Sequence, residues 1–155
     1  MGIAALVAWV LTAGGGFVMV GRWVSAGGLR QQSDGATRFP APLVFGHAGL
    51  AAAGLVLWII YLALDADSLP WVAFVLLVLV ALGGFTLFAR WLPSRRASAV
   101  PAGVAGSGRG GDTVAGRAGA EPAERHLPVP VVAAHGLFAV ATLVLVLMTA
   151  LGVGG

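Results

Sequence analysis

The sequence has no cysteine and few charged residues. Without cysteine the chain forms no disulfide, no thiolate metal site and no cysteine nucleophile. Only 10% of its 155 residues are charged, and no carboxylate lies inside a long apolar run. The chain also lacks a plausible Ser, His and carboxylate combination, a phosphate-binding glycine loop and an acidic pair within an apolar segment. We therefore do not expect it to be an enzyme on its own.

What the sequence does have is an excess of apolar residues. Hydrophobic residues make up 59% of the chain and the mean hydropathy is +0.95, too high for an ordinary soluble domain. A membrane-spanning helix needs about 20 consecutive apolar residues. Four stretches meet this requirement, at residues 3–23, 43–64, 69–91 and 131–153. We predict an all-α, polytopic membrane protein with four transmembrane helices, the first of which is retained.

The positions of the charges predict how the chain lies in the membrane. All nine basic residues are arginines, and they lie in or beside the connections between spans one and two and between spans three and four. The connection between spans two and three carries only Asp65 and Asp67. Because basic residues collect on the cytoplasmic side, both long connections should be cytoplasmic and both termini outside. The sequence pI is near 11.1. Because of where the arginines lie, we expect this basic charge to contact a lipid bilayer and not nucleic acid.

The second half of the chain repeats the first. Spans two and four align at an offset of 88 residues (135 − 47), and spans one and three at an offset of 68 (83 − 15). The aligned pairs include Pro40 and Pro128, Pro42 and Pro130, His47 and His135, Gly15 and Gly83, Gly16 and Gly84, Arg22 and Arg90, and Trp23 and Trp91.

This duplication predicts one domain, residues 1–155, built from two tandem helical hairpins. Repeat one covers about 1–65 and repeat two about 69–155, and a pseudo-twofold axis along the membrane normal relates them. The second long connection has about 20 more residues than the first. Residues 94–124 are rich in Gly, Ala, Ser, Pro and Arg and show no periodicity, so we predict a flexible cytoplasmic linker there.

Two of the three histidines occupy equivalent positions in the repeats. His47 and His135 each follow the second proline of their span by five residues, so both lie roughly 7 to 8 Å inside the starts of two parallel helices. Their helical faces carry three of the few polar groups in these spans, Tyr61, Thr142 and Thr149, and polar groups in a bilayer face the bundle interior. We therefore expect the two imidazoles to point inward at the same depth.

The residues around this pair suggest a ligand. Glycine pairs on the other two spans lie near the histidine depth, and an arginine from each half lies at the cytoplasmic mouth; these are Gly15, Gly16, Gly83, Gly84, Arg22 and Arg90. We predict that His47 and His135 bind one haem b as axial metal ligands, that the glycines give it room, and that an arginine pairs with its propionates. We assign the tryptophans beside the arginines, Trp23 and Trp91, to interfacial anchoring.

In arrangement the chain resembles four-helix transmembrane b-type cytochromes, particularly the membrane anchors of respiratory enzymes that hold a single haem between two histidines. The resemblance implies electron transfer with quinone, or membership of a larger respiratory or redox complex with other subunits. The composition is also typical of a bacterium, so the inner (plasma) membrane is the expected location.

Other interpretations remain open at this point. The histidines could bind another metal, transfer protons or only form interhelical hydrogen bonds, and the glycine pairs could serve helix packing. The arginines could act only as topology anchors. The whole chain could be a cofactor-free structural or assembly subunit, or a small transporter built from parallel repeats. For His126 we expect a structural or surface role.

Overall fold

The structure is a computed structural model, which describes residues 1–64, 66, 68–96 and 121–153. Within these ranges the chain is all-helical and has no strand. It forms α1 (Gly2–Ser25), α2 (Ala41–Leu64), α3 (Leu69–Arg96) and α4 (Val129–Ala150), together with two short 3-10 segments at Arg30–Gln32 and Ala123–His126. Each of the four long helices is apolar and long enough to cross a membrane. The predicted all-α, four-helix fold is confirmed.

Proline and glycine set the ends of several helices. The carbonyl of Pro40 accepts the amide hydrogens of Leu43 and Val44, and the carbonyl of Pro128 does the same at the start of α4. Proline suits the first turn of a helix because the amide hydrogen it lacks would have no partner there. At the other end of α1, Gly27 has a positive φ of 86°, which only glycine adopts without strain. These residues fix where α1 ends and where α2 and α4 begin.

The helices pack as two close pairs. The most extensive contacts join α1 to α4 and α2 to α3, whereas α1–α2 and α3–α4 contacts are less extensive. The α2–α3 pairing follows from the very short connection between these helices. The α1–α4 pairing joins the first and last spans of the chain. The bundle is thus two helix pairs laid against each other, and α2 and α4 lie diagonally across it.

Two apolar clusters hold the helix pairs together, one at each end of the bundle. At one end the buried core contains Ala5, Trp9, Trp58, Ala73, Leu77 and Val146. Every member has its repeat equivalent in the same cluster, at an offset of 68 for α1 and α3 and 88 for α2 and α4. On the outside, the repeat partners Phe17 and Phe85 are 79% and 69% exposed. Large exposed apolar side chains of this kind suit a lipid environment.

The second cluster lies at the end of the bundle that carries the arginines, which we call the basic end. It contains Trp23, Phe39, Val44, Trp91, Ala123 and Leu127. Trp23 and Trp91 are 1% and 6% exposed, so they are core residues and not the interfacial anchors that their sequence position suggested. The reason is that Phe39 of the first connection, and Ala123 and Leu127 from the described part of the second, pack in the same buried cluster as the two indoles. Trp71, at the other end of α3, is 44% exposed.

The predicted linker is ordered at both of its edges. Ser94 to Arg96 form the last turn of α3, and Glu121 and Pro122 lead into the 3-10 segment Ala123–His126, which we call the strap. The strap contacts α1 and α3 and so crosses the basic end of the bundle. The rest of the predicted linker, residues 97–120, lies outside the described residues.

One buried carboxylate fastens the strap. Glu124 is fully buried and accepts hydrogen bonds from the backbone N–H of Arg38 (2.8 Å), the hydroxyl of Thr37 (2.8 Å) and the hydroxyl of Ser94 (3.3 Å). Gln31 adds a second fastening, because its amide donates to the carbonyl of Glu121 and accepts from the N–H of Ala123. The strap therefore joins the first connection of the chain to the end of α3.

Replacing Glu124 by Ala should destabilise the fold strongly. The change removes the carboxylate that accepts all three hydrogen bonds. A hydrogen bond to a charged group contributes roughly 1.5–3 kcal/mol, so we expect the free energy of unfolding to fall by about 3 kcal/mol or more. Thermal unfolding in detergent micelles measures this. The matched control is Glu121→Ala, which removes only a half-exposed ion pair with Arg125 and should cost less than about 1 kcal/mol. Equal losses for the two variants would contradict the role of the strap.

Candidate functional site

The site is a pair of histidines that face each other between the two helix pairs. His47 belongs to the α2–α3 pair and His135 to the α1–α4 pair. Their ring centroids are 6.3 Å apart and the ring planes are inclined by 59°. Both side chains are only partly buried. The structure thus brings together the two residues that the repeat aligned.

The rest of each histidine face also points inward, as its helical spacing predicted. Gly54 and Trp58 on the His47 face are buried, and so are Thr142 and Val146 on the His135 face. Ala51 and Ala139, one turn from each histidine, are partly buried. The two faces meet at the interface between the helix pairs, so the histidines lie within that interface.

Each imidazole is fixed by a backbone carbonyl of the neighbouring helix. Nδ1 of His47 lies 2.9 Å from the carbonyl oxygen of Val80, and Nδ1 of His135 lies 2.8 Å from that of Thr12. A carbonyl only accepts, so Nδ1 carries the proton in both rings. In the neutral imidazole Nε2 then has a free lone pair. Val80 and Thr12 are themselves related by the 68-residue offset, so the two hydrogen bonds are equivalent in the repeats.

The predicted glycine pairs lie directly against these rings. A Cβ atom on Gly16 would lie 3.3 Å from Cε1 of His135, and one on Gly84 would lie 3.2 Å from Cε1 of His47. At Gly15 and Gly83 the nearest histidine atoms would be 3.5 and 3.4 Å away. The glycines therefore admit the imidazoles themselves to the surface of α1 and α3. Across the bundle the site thus consists of the α1 glycine pair, the ring of His135, the ring of His47 and the α3 glycine pair, in that order.

Hydroxyl groups accompany only one of the two histidines. Thr12, whose carbonyl accepts from His135, has its hydroxyl 3.4 Å from the hydroxyl of Thr142. Both hydroxyls also donate to carbonyls of their own helices. The repeat equivalents are Val80 and Gly54, which have no hydroxyl. The two halves of the site are thus alike at the histidines and different beside them.

The predicted arginines lie apart from the histidines. Arg22 and Arg90 are both exposed at the basic end, and the Arg90 guanidinium donates to the carbonyl of Arg38 at 3.2 Å. About two helical turns separate Arg90 from Gly84, which is roughly 9 Å of helix rise. His126 is exposed on the strap, so it is not a third member of the site.

A groove on the outer surface reaches one of the histidines. It lies between α1 and α4, has a volume of about 360 Å³ and is lined by His135, Gly14, Gly15 and apolar side chains. The nearby side chains Leu11 and Val18 are 50% and 48% exposed. His135 is therefore reached from the lipid-facing side of the bundle, whereas His47 does not line this groove.

The donor set restricts what the site could hold. Within the described ranges no three His, Cys, Asp or Glu side chains come together as a metal site. Two imidazoles are short of the three or four protein ligands that zinc usually takes. They suit a metal whose other ligands come from a flat macrocycle, because each ring offers one unprotonated nitrogen and is oriented by a hydrogen bond on the other.

Sequence reasoning missed three parts of this region. It did not find the carbonyl partners Thr12 and Val80, because backbone groups leave no trace in a residue pattern. It also placed Glu124 in a linker and Trp91 at a lipid interface. The sequence does show that the Arg-Trp pair occurs in both halves, as Arg22-Trp23 and Arg90-Trp91.

The fold and the site define a class of protein: a four-helix apolar bundle of two repeats with a histidine pair at its centre. Compared with known protein families, curated proteins and solved structures, the chain matches none. The function has therefore to be argued from the histidine pair and its surroundings.

Filling the glycine positions should disturb the site selectively. Gly16→Leu and Gly84→Leu place a side chain where an imidazole now lies, and such overpacking costs about 1–3 kcal/mol. The control is Gly14→Leu, because a Cβ at Gly14 meets no atom within 4 Å and its cost should stay within about 0.5 kcal/mol. Thermal unfolding in detergent separates the two groups. If Gly14→Leu were as destabilising as Gly16→Leu, the close glycine–imidazole contact would be refuted.

Proposed function

We propose that this protein is an integral membrane protein that binds one haem b between His47 and His135 and takes part in electron transfer. The observation that carries the proposal is the facing imidazole pair, one ring from each helix pair, with equivalent hydrogen bonds. A haem iron held by two histidines accepts and releases single electrons.

The separation of the rings supports the proposal. Two imidazoles that share one metal hold their ring centroids about 6 Å apart, because each metal–nitrogen bond is about 2 Å long and each nitrogen lies about 1 Å from its ring centre. The observed separation is 6.3 Å. The histidines therefore lie at the separation that two imidazole ligands of one metal require.

The hydrogen bonds on Nδ1 support it as well. A histidine that binds a metal through Nε2 usually donates its Nδ1–H to a carbonyl or carboxylate, which fixes the tautomer and the ring orientation. Val80 and Thr12 supply such carbonyls. A flat ligand held by both rings would lie between the two helix pairs, with one histidine on each side.

The partner and the orientation are part of the same proposal. We place the basic end in the cytoplasm and both termini outside, in a bacterial inner membrane, on the distribution of the arginines. The electron partner we propose is a quinone or a subunit of a larger redox complex, because the histidines lie among apolar helices and not on a water-facing surface.

The optical spectrum tests the proposal directly. Protein purified from membranes, or loaded with ferric haem b in detergent, should show a Soret band with the spectrum of a six-coordinate, bis-histidine haem. His47→Ala and His135→Ala should each abolish that spectrum because one axial ligand is lost. The control is His126→Ala, which changes an exposed histidine on the strap and should leave the spectrum unchanged.

The opposite outcome would favour the alternative, a cofactor-free structural subunit. In that case no Soret band appears even with added haem. His47→Gln and His135→Gln would then keep full thermal stability, because an amide N–H can replace the hydrogen bond to a backbone carbonyl. A haem ligand cannot be replaced in this way, so the glutamine variants separate the two functions.

The orientation can be tested with single cysteines, because the chain has none of its own. We expect Val153→Cys, beyond the end of α4, to react with a membrane-impermeant maleimide added to spheroplasts. Ser33→Cys, in the first connection, should react only after the membrane is opened. Both side chains are exposed, so a difference in labelling reports the side of the membrane. The reverse labelling pattern would refute the proposed orientation.

A further inference from the structure

The indole N–H of Trp91 is buried without an acceptor among the described residues. Trp91 is 6% exposed and lies in the basic-end cluster beneath the strap. A buried donor without a partner loses its hydrogen bonds to water and gains nothing in return. Such a group in a folded protein calls for an explanation, and one explanation is an acceptor that a ligand brings.

The repeat shows that this is a particular property of Trp91. Its equivalent, Trp23, is buried to the same degree, but its indole N–H donates to the hydroxyl of Thr37 at 3.3 Å. The residue equivalent to Thr37 in the second repeat is Arg125. The second half of the chain therefore kept the indole and replaced its acceptor by a cation.

The nearest carboxylate does not serve Trp91. Glu124 lies in the same region, but its two oxygens accept from Arg38, Thr37 and Ser94. Cations accompany the indole on α3. The guanidinium of Arg95 lies 5.8 Å from the Trp91 ring centroid, and Arg90 precedes Trp91 in the chain. The surroundings thus offer positive charge and an unused donor, which together suit an anionic oxygen acceptor.

The position of the indole relates it to the histidine pair. Trp91 follows Gly84 on α3 by two helical turns, roughly 10 Å toward the basic end, and Gly84 lies against the ring of His47. A porphyrin between the histidines has an apolar edge and an edge with two carboxylates. The cationic side chains that the structure describes lie at the basic end, so the carboxylates would point toward Trp91.

We propose that the indole N–H of Trp91 is a donor for a carboxylate of the bound porphyrin, assisted by Arg90 and Arg95. This inference rests on the proposed function and adds a residue and a direction to it. Trp91 holds the acidic edge of the ligand at the basic end, and the strap covers that edge. Trp23 has no such role, because Thr37 already accepts from its indole.

Binding of two porphyrins to matched variants tests the inference. Apoprotein in detergent micelles is titrated with ferric haem b and with its dimethyl ester, in which uncharged methyl esters replace both carboxylates. The Soret band gives Kd for each. Trp91→Phe should weaken haem b binding about tenfold, since a hydrogen bond to a charged acceptor is lost, and should change ester binding less than about twofold. The control Trp23→Phe should change both Kd values by the same small factor.

The stability of the apoprotein gives a second readout that needs no porphyrin. Both Trp91→Phe and Trp23→Phe lose buried packing area, but only Trp23→Phe also loses a hydrogen bond, the one to Thr37. The unfolding midpoint should therefore fall less for Trp91→Phe than for Trp23→Phe. The inference is overturned if Trp91→Phe lowers the midpoint as much as Trp23→Phe, or if it weakens haem b and the ester equally. If the unaltered protein binds haem b and Trp91→Phe binds it equally well, only this inference fails. If the unaltered protein binds no haem b, the proposed function fails with it.

Discussion

The hydrogen bond from each imidazole to a carbonyl of the neighbouring helix is the interaction on which this structure depends. A polar side chain among apolar helices needs an internal partner, because lipid offers none. The carbonyls of Thr12 and Val80 supply it, and they are within reach only because Gly16 and Gly84 present no side chain there. Each histidine therefore requires the glycine pair of another helix. That requirement joins α4 to α1 and α2 to α3, which are the two close pairs of the bundle.

The basic end of the bundle is closed by polar contacts of another kind. The strap carries a fully buried carboxylate, and its partners come from the first connection and from the end of α3. A buried carboxylate is costly unless its oxygens are hydrogen-bonded, so these partners must stay in place together. The strap thus fixes the distance between the ends of α1 and α3 on the basic-end side of the histidines. The site between the helix pairs is closed at this end by the strap and at the other end by the Trp9 and Trp58 cluster.

Much of this could be predicted from the sequence, but not all of it. Hydropathy predicted the helices, and the internal repeat predicted that His47 and His135 meet at one depth beside glycine pairs. Helical periodicity indicates which face of a helix is buried, but it does not indicate which helix that face contacts. The α1–α4 pairing could therefore not be predicted. The burial of Glu124 could not be predicted either, because a single carboxylate in a stretch rich in Gly, Ala and Arg shows no periodicity. Its burial depends on donors about 30 and 90 residues away in the chain.

The differences between the repeats bear on what the histidines do. Packing does not require the halves to be alike: Trp9 and Trp58 in one half correspond to Leu77 and Val146 in the other, and the core is buried in both. The hydroxyl of Thr12 likewise has no equivalent at Val80. The histidines, their glycines and the geometry of their hydrogen bonds are nevertheless the same in both halves. The proposed ligand, shared between the two imidazoles, would require equal donors from both sides, and this requirement would account for the agreement of the halves at this position while they differ around it.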